Sequence, residues 1–425
     1  MTDTPIFFRQ TLVATIAASD DGLHIRYDAD WRSAAGTFPI SLSMPLSAAD
    51  WGPSVTTPWL MNLLPEGEPL RAMTQALGVS QDDVMGLIAE TGRDLAGALT
   101  IGKPRPVEKD ETIAIAGADQ LERIIEELPA KPFLVGEEGV SMSLAGAQEK
   151  LPLALLDGKL AIPVNGTPST HILKPDNPRL AGSVPNEALC MVLARRCGLS
   201  VAHVTTGRAG ARSYLLVERF DRGRDGERIS RLHQEDFCQA LGRAPAAKYE
   251  HNGTGRAGPS LADMFALVRA HMTARDITRL LDAVVFNIAI GNVDSHAKNY
   301  SILLQPKRAE LAPLYDLMSG MVWANITLNH AQDIGGQRRG RHIYQRHWRR
   351  MAAAAGLSET GTVRRVGQLV SKLLAELPAA IEEVTAMPTG TEWVDTFAAA
   401  IKERAETVMN NAQRDDANDT ESSSD

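Results

Sequence analysis

The residues whose types and spacing could do chemistry cluster late in the chain. In GNVDSHAKN at 291–299, Asp294 and Asn299 stand five apart on what reads as a loop between a helix and a strand hairpin. Asp316 follows in LYDLM at 314–318. Phosphoryl transfer from a nucleotide needs such parts in this order: a carboxylate that accepts or orients the acceptor hydroxyl, an amide that binds metal, and a later carboxylate whose metal bridges the phosphates. Magnesium favours oxygen ligands of this kind. Polar turns at strand ends would give the same spacing. Lys298, between the carboxylate and the amide, could neutralise a transferring phosphoryl group or be an ordinary surface lysine.

Three weaker signals precede these. SMSLAGAQEK at 141–150 offers small residues whose backbone N–H groups could approach phosphate oxygens. With one glycine it matches neither the Walker loop nor GxGxxG, and it could be a plain loop. Lys174 on a short strand, with Glu187 near the start of the next helix, has the form of a phosphate-holding lysine and its carboxylate partner. Val217 to Phe220 end a strand where backbone groups could face a purine, or where a strand simply stops. Downstream, Arg338, Arg339, Arg341, Arg346, Arg349 and Arg350, with His342, His347 and Trp348, form a basic run. It reads as a solvated helix face in preference to a phosphate-binding surface.

The elements that must position these residues follow from period and turn chemistry. Residues 1 to about 102 open with short strand-like runs and turn helical near Pro58 to Leu77 and Asp82 to Ala89. A Pro- and charge-rich connector, 102–110, follows. Leu151 to Leu156 and Leu160 to Val164 flank Asp157-Gly158-Lys159 as a hairpin. His171 to Lys174 and Tyr214 to Glu218 read as strands, with a helix from near Pro185 to Gly198 between them. Ile277, Leu280, Leu281, Val284, Val285 and Ile288 give a helix over 276–290, stopped by Gly291. Tyr300 to Leu304 and Leu311 to Tyr315 look like a hairpin around Pro306. Helices are expected over 363–377 and 393–409. This mostly β, then mostly α, order suits a two-lobed nucleotide kinase and many other α+β proteins.

Bulk properties narrow the class. The 425 residues are 44% hydrophobic and 23% charged, as in globular proteins. The net charge of −8 includes five carboxylates in the last eleven residues, read as a disordered acidic tail. The remaining −3 predicts no general affinity for nucleic acid. Cys190, Cys197 and Cys238 fit neither a disulfide framework nor a zinc pattern and read as buried thiols in a reducing compartment. The first 22 residues lack a signal-peptide pattern, and no run approaches the roughly 18 apolar residues of a membrane span, so a cytoplasmic protein is expected.

Taken together the segments resemble the HipA family of toxin kinases. The pattern appears as SLAGAQEK at 143–150, THILK at 170–174, NEALC at 186–190, VERFDR at 217–222, QEDFCQALG at 234–242, DSHAKN at 294–299 and PLYD at 313–316. YDADW at 27–31, FPISLSMPL at 38–46 and NLLPEG at 62–67 resemble the family's N-terminal subdomain. The resemblance spans about residues 20 to 410. It implies an α+β, two-lobed protein-kinase-like fold. The β-rich N-terminal lobe would hold the extra subdomain (1–102) and a kinase N-lobe (103–222). A C-terminal lobe (223–412), expected to be all helical, and an acidic tail (413–425) would follow.

The resemblance also implies roles. Asp294 is the catalytic base. Asn299 and Asp316 bind magnesium. Lys174 holds the ATP phosphates and Glu187 orients it. Ala145, Gly146, Ala147, Gln148, Glu149 and Lys150 form the phosphate loop. Glu218, Arg219 and Phe220 form the adenine hinge. His296, Ala297, Lys298, Asn299, Tyr315 and Asp316 complete the nucleotide site. Ser143 sits at the autophosphorylation position, with Ser141 a neighbouring alternative. Ser295 stands where the pattern often has glycine, a change expected to be tolerated. Family members pair with a small HipB-like helix-turn-helix antitoxin, and the complex represses its own operon by binding operator DNA. Their characterised targets are aminoacyl-tRNA synthetases, with glutamyl-tRNA synthetase the type case, and their action arrests translation and growth. Two other readings share the fold: a kinase-fold co-repressor with little activity, and a small-molecule kinase. The complete set of Lys174, Asp294, Asn299 and Asp316 argues against the first, and the N-terminal subdomain and QEDFCQ segment against the second.

Overall fold

A computed structural model describes residues 3–106, 110–225, 228–389 and 392–414. The acidic tail from 415 and residues 107–109 of the connector lie outside these. Two antiparallel hairpin connections and two long returns build a first sheet in the order Asp50–Trp51, Gly22–Tyr27, Thr11–Ser19, Thr4–Phe8, Leu99–Ile101. Four helices accompany it, Ala29–Ser33, Pro53–Met61, Gly67–Leu77 and Val84–Thr91. The single helical stretch expected over 58–77 is broken at 62–66, within the NLLPEG segment.

The second sheet is six-stranded and antiparallel: Val204–Ala209, Arg212–Glu218, His171–Pro175, Leu151–Leu156, Lys159–Val164, Glu111–Ala114. Its central hairpin is as expected. Asp157 and Gly158 both take positive φ (48° and 75°), the geometry a two-residue turn needs to match strand twist. The helix Ser183–Arg196 packs behind it. One apolar core runs without a break from Ile16, Ile25, Trp59 and Ile88 of the first unit into Leu151, Leu153 and Leu173 of this sheet.

The C-terminal lobe is mainly helical: Leu261–His271, Ala274–Ile290, Gln345–Ala354, Glu359–Thr385 and Val394–Gln413. It is not helical throughout, because His233–Asp236, Ser301–Gln305 and Arg308–Leu311 form a small sheet, and Asn329–Ile334 and Gln337–Arg339 a hairpin. The Ser301 hairpin is tighter than its sequence suggests. Gln305 pairs with Arg308 across Pro306 and Lys307, and Lys307 has φ 63°. The second strand therefore ends at Leu311, and Leu314 leaves to bridge Val201 of the N-terminal lobe. The Glu359–Thr385 helix runs through Pro378, which the expected helix stopped short of. Pro378 lies on the exposed face, where water can satisfy the carbonyl its missing N–H leaves free. Leu373, Leu377, Ala380 and Val384 keep the buried stripe continuous. Of the basic run, Arg338 and Arg339 sit on a strand. In the Gln345–Ala354 helix His347 and Trp348 face inward. Cys190, Cys197 and Cys238 are buried and free. Among the described residues no helix is long and apolar enough to cross a membrane.

The first unit seats on the C-terminal lobe through FPISLSMPL. Leu42 N–H donates to Glu235 Oε1 at 2.7 Å, Ser41 Oγ donates to Oε2, and the His233 ring meets the Ile40 carbonyl at 2.8 Å. Burial pushes the Glu235 carboxyl up to about 8, with the Ser41 and Leu42 bonds opposing it. A folded-state value above the unfolded one means that this group's contribution is intact below the ordinary carboxylate range and is lost as pH rises through about 8. Glu235→Gln keeps the shape and cannot ionise. From about pH 5 to about pH 9 the urea midpoint of the wild type should fall relative to Glu235→Gln. Parallel curves would show that Glu235 is not held neutral.

Candidate active site

The strand His171–Pro175 lies inside the second sheet, and its two-residue period puts Ile172 and Lys174 on one face of the cleft. Lys174 Nζ donates to Glu187 Oε1 at 2.7 Å and to Asp316 Oδ1 at 2.6 Å. Both carboxylates are anchored by their neighbours. Asn186 Nδ2 donates to the Ser319 carbonyl at 2.8 Å, and Ser319 N–H donates back to Asn186 Oδ1 at 3.0 Å. This clamp joins the helix bearing Glu187 to the segment just after Asp316. Asp316 has φ 59°, a left-handed conformation that costs a non-glycine residue energy and is tolerated where structure demands it. Burial works to lower the Lys174 pKa, but Asp316 and Glu187 outweigh it and raise it. Burial works the other way on Asp316, yet Lys174 and Lys150 hold it down at about 2. Lys174 and Asp316 are therefore both charged at neutral pH.

Gly291, at φ 71°, ends the Ala274–Ile290 helix in a left-handed cap. Asn292 Nδ2 then donates to Asn287 Oδ1 at 2.9 Å, and Asp294 N–H donates to Asn292 Oδ1 at 3.2 Å. Asn299 Nδ2 donates to the Asp294 carbonyl at 2.8 Å, leaving its oxygen for other use. Asp294 is open to the cleft although protein walls surround it. Loss of water raises its pKa, the Tyr249 hydrogen bond opposes this, and Asp316 adds to it. Ser295 is accommodated, its hydroxyl 3.3 Å from the Asn292 carbonyl.

The 141–150 segment is held by the first unit. Asp94 N–H donates to the Ser141 carbonyl at 3.0 Å, and Ser143 N–H donates to the Asp94 carbonyl at 3.1 Å. Ser143 Oγ, fully buried, donates to the Leu63 carbonyl at 3.0 Å; Ser141 Oγ donates to the Glu90 carbonyl at 2.6 Å. Glu66 N–H donates to the Gly146 carbonyl at 3.1 Å. Gly146 has φ 107°, and a Cβ there would lie 2.8 Å from Lys150 Nζ. Lys150 Nζ donates to the Ala145 carbonyl at 2.7 Å, and burial together with Lys174 lowers its pKa to about 8. An anion brought beside it would restore the full charge.

These groups share a cleft of about 390 Å³ with Glu218, Phe220, His296, Lys298 and Tyr315. Phe220 and Tyr315 rings stack at 5.6 Å. Two lysines at one end and the oxygens of Asp316 and Asn299 beside them suit a polyphosphate with a hard divalent cation. Several expected residues are placed otherwise. The Arg219 side chain turns from the cleft into a buried cluster, bonding Asp221 at 2.8 Å, Ser169 Oγ at 2.9 Å and the Leu95 carbonyl at 2.9 Å. Only its backbone can serve a hinge. Lys298 is buried, with Nζ donating to Asp236 Oδ2 at 3.0 Å and to Asn62 Oδ1, so its charge is already paired. Glu149 lines a separate depression beside Arg179, and Ala297 is buried in the core. His296 lies at the site with its pKa lowered to about 3, by burial and by Lys248, so it is neutral.

Other residues enter the site unannounced. Asn62 and Glu66 come from NLLPEG and Asp236 from QEDFCQ, so the motifs were visible although their roles were not. Lys248 Nζ pairs with Glu66 at 2.9 Å, and Tyr249 donates its hydroxyl to Asp294 Oδ1. Both lie in a loop without a sequence signal.

The chain is similar to known proteins over most of its length. The family model for the HipA N-terminal domain matches residues 4–102, and that for the HipA-like C-terminal domain matches 142–381. A putative kinase of Sinorhizobium fredii is 37% identical over 90% of this chain and 92% of its own. The serine/threonine-protein kinase toxin HipA of Shewanella oneidensis is 31% identical over 86% and 87%. The solved Shewanella oneidensis HipA, in complex with HipB and operator DNA, superposes with a TM-score of 0.80 at 28% identity, covering 96% of each chain.

Arg219→Met tests the placement of that side chain. Leaving its buried acceptors unpaired should cost about 1–3 kcal/mol of stability. ATP affinity of the folded protein should change by less than about threefold. Unchanged stability with a large loss of affinity would put the guanidinium in the nucleotide site instead.

Proposed function

The chain belongs to the HipA family of toxin–antitoxin kinases, and on that premise we propose that it is a cytoplasmic serine/threonine protein kinase that uses ATP and magnesium. The observation that carries this reading is Lys174 shared between Glu187 and Asp316 at 2.7 and 2.6 Å, with Asp294 open to the same cleft. A degenerate binding module has no need to keep these charges together. In the proposed division of labour, the segments 1–102, 103–222 and 223–412 are the accessory subdomain, the nucleotide lobe and the catalytic lobe.

The chain's own residues then act as follows. Ala145 to Gln148, Lys150 and Lys174 hold the phosphates, with the Glu149 side chain turned away, and Glu187 keeps Lys174 aimed. The backbone of Glu218 to Phe220 and the Tyr315 ring bound the base. Asp294 takes the proton of a protein hydroxyl as its oxygen bonds the γ-phosphorus; the β–γ bridging bond breaks, and ADP leaves with charge offset by the lysines. Magnesium on Asp316 and Asn299 would supply further neutralisation of the phosphates.

Membership also supports a HipB-like helix-turn-helix antitoxin dimer as partner, with operator DNA reached through that complex, because a relative is seen with both. An aminoacyl-tRNA synthetase, glutamyl-tRNA synthetase being the type case, is proposed as the target on membership alone.

Ser143 gives the enzyme an off-switch in this reading. Its hydroxyl is fully buried, so the 141–150 segment must leave its seat to be modified. A phosphoserine carries about −1.5 to −2 charges and could not return beside the Leu63 carbonyl. The phosphate loop would stay out and ATP binding would be lost.

The test is intact mass after incubation of verified unphosphorylated protein with ATP and magnesium. The wild type should gain one phosphate, mapping to Ser143 or Ser141, and Asp294→Asn should gain none. No gain in either protein, or an equal gain in both, would overturn the reading.

A further inference from the structure

We propose that Tyr249 is a positioning residue for phosphoryl transfer: its hydroxyl fixes Asp294 through one carboxylate oxygen and leaves the other to receive the acceptor's proton. The inference rests on the kinase reading above.

Asp294 separates two clefts. One is the nucleotide cleft with Lys174 and Asp316. The other, about 400 Å³, is walled by Tyr249, Trp323, Asn325, His330 and Arg338. Asp294 lines both. An acceptor hydroxyl that must meet the γ-phosphorus therefore has its own approach, and it passes Tyr249.

The phenol sits in a braced position. The Lys248 carbonyl accepts from Ala297 N–H at 3.1 Å, the Tyr249 carbonyl from Asn252 Nδ2 at 2.9 Å, and the Ala331 carbonyl from Glu250 N–H at 3.1 Å. Gly258 approaches this strap closely, since a Cβ on it would stand 2.0 Å from the Tyr249 carbonyl oxygen. The ring edge packs on His296 at 5.1 Å, interplanar angle 86°. A group held from both sides of the backbone and along its ring is a strut, not a mobile plug.

Its effect is on geometry. The Tyr249 hydroxyl donates to Oδ1 of Asp294, and among the described residues Oδ2 has no partner. Without the strut the carboxylate is free to rotate about its own bond, and Oδ2 faces the acceptor only part of the time. The acceptor O–H gives its proton to Oδ2, its oxygen bonds the γ-phosphorus, and the β–γ bridging bond breaks to release ADP. Tyr249 exchanges no atoms and keeps its proton.

The experiment compares wild type with Tyr249→Phe in the full chain. It measures the rate of autophosphorylation by intact mass at saturating ATP and magnesium, the ATP concentration at half-saturation, ATP hydrolysis without acceptor, and the melting temperature. The proposal expects the saturating rate to fall about tenfold, with hydrolysis falling too. Half-saturation should stay within about twofold and melting should be nearly unchanged. A rate or hydrolysis equal to or above wild type would mean that the hydroxyl is idle or a plug, and would overturn the proposal. So would a loss that appears only as weaker half-saturation. If the wild type itself transfers no phosphate, the kinase reading fails; if the wild type is active and Tyr249→Phe matches it, only this inference fails.

Discussion

The Lys174 ammonium is the charge on which the rest of the site depends. It is buried, and burying a cation without partners costs several kcal/mol at least. Its partners come from two distant places: Glu187 on the helix behind the sheet, and Asp316 on the loop that enters from the C-terminal lobe. Meeting that demand brings the two lobes to a fixed separation. The Asn186–Ser319 clamp lies one residue from Glu187 and three from Asp316, so the same contact that joins the lobes also aims the carboxylates. The cleft, its lysine and the two carboxylates beside it follow from one electrostatic requirement.

A second buried cluster does for the first unit what Lys174 does for the lobes. Asp94 accepts from Arg222 at 2.9 Å and from Arg231 at 3.0 Å, and Asp221 accepts from Arg219 and Arg222 at 2.8 Å. Ser169 and Gly97 N–H groups fill remaining lone pairs. Burial works to raise both carboxyls, but the arginines outweigh it and hold them below the ordinary range. Because the backbone of Asp94 also carries Ser141 and Ser143, the seat of the 141–150 segment and the strand that ends at Glu218 share one anchor. The first unit is therefore part of the cleft's scaffold, and the continuous apolar core says the same.

What could be read in advance follows the range of the physics involved. Asp294, Asn299 and Asp316 fall within one short stretch in the order that phosphoryl transfer would need, so their meeting in one cleft could be expected from the sequence. The Asp157–Gly158 hairpin is legible because its turn is local. Arg219 and Lys298 line the cleft as expected, but their charges are already paired, with Asp221 two residues on and with Asp236 62 residues away, and a charged residue in a nucleotide motif looks like a free phosphate ligand until such partners are known. The Ser301 hairpin is misplaced because Pro306 hides a two-residue turn that needs positive φ at Lys307. The helix through Pro378 is cut short because which face is exposed is decided by packing. Lys248 and Tyr249 carry no local pattern, and only the fold brings them to Asp294.

The central claim is that the Lys174–Glu187–Asp316 centre is where nucleotide phosphates and their metal bind. Calorimetric titration of ATP into wild type and Asp316→Asn, each with magnesium and with chelator, tests it most directly. The account predicts that magnesium tightens ATP binding to the wild type by about tenfold or more and that Asp316→Asn loses this dependence. Equal affinity in all four titrations, or a magnesium effect that survives in Asp316→Asn, would contradict it.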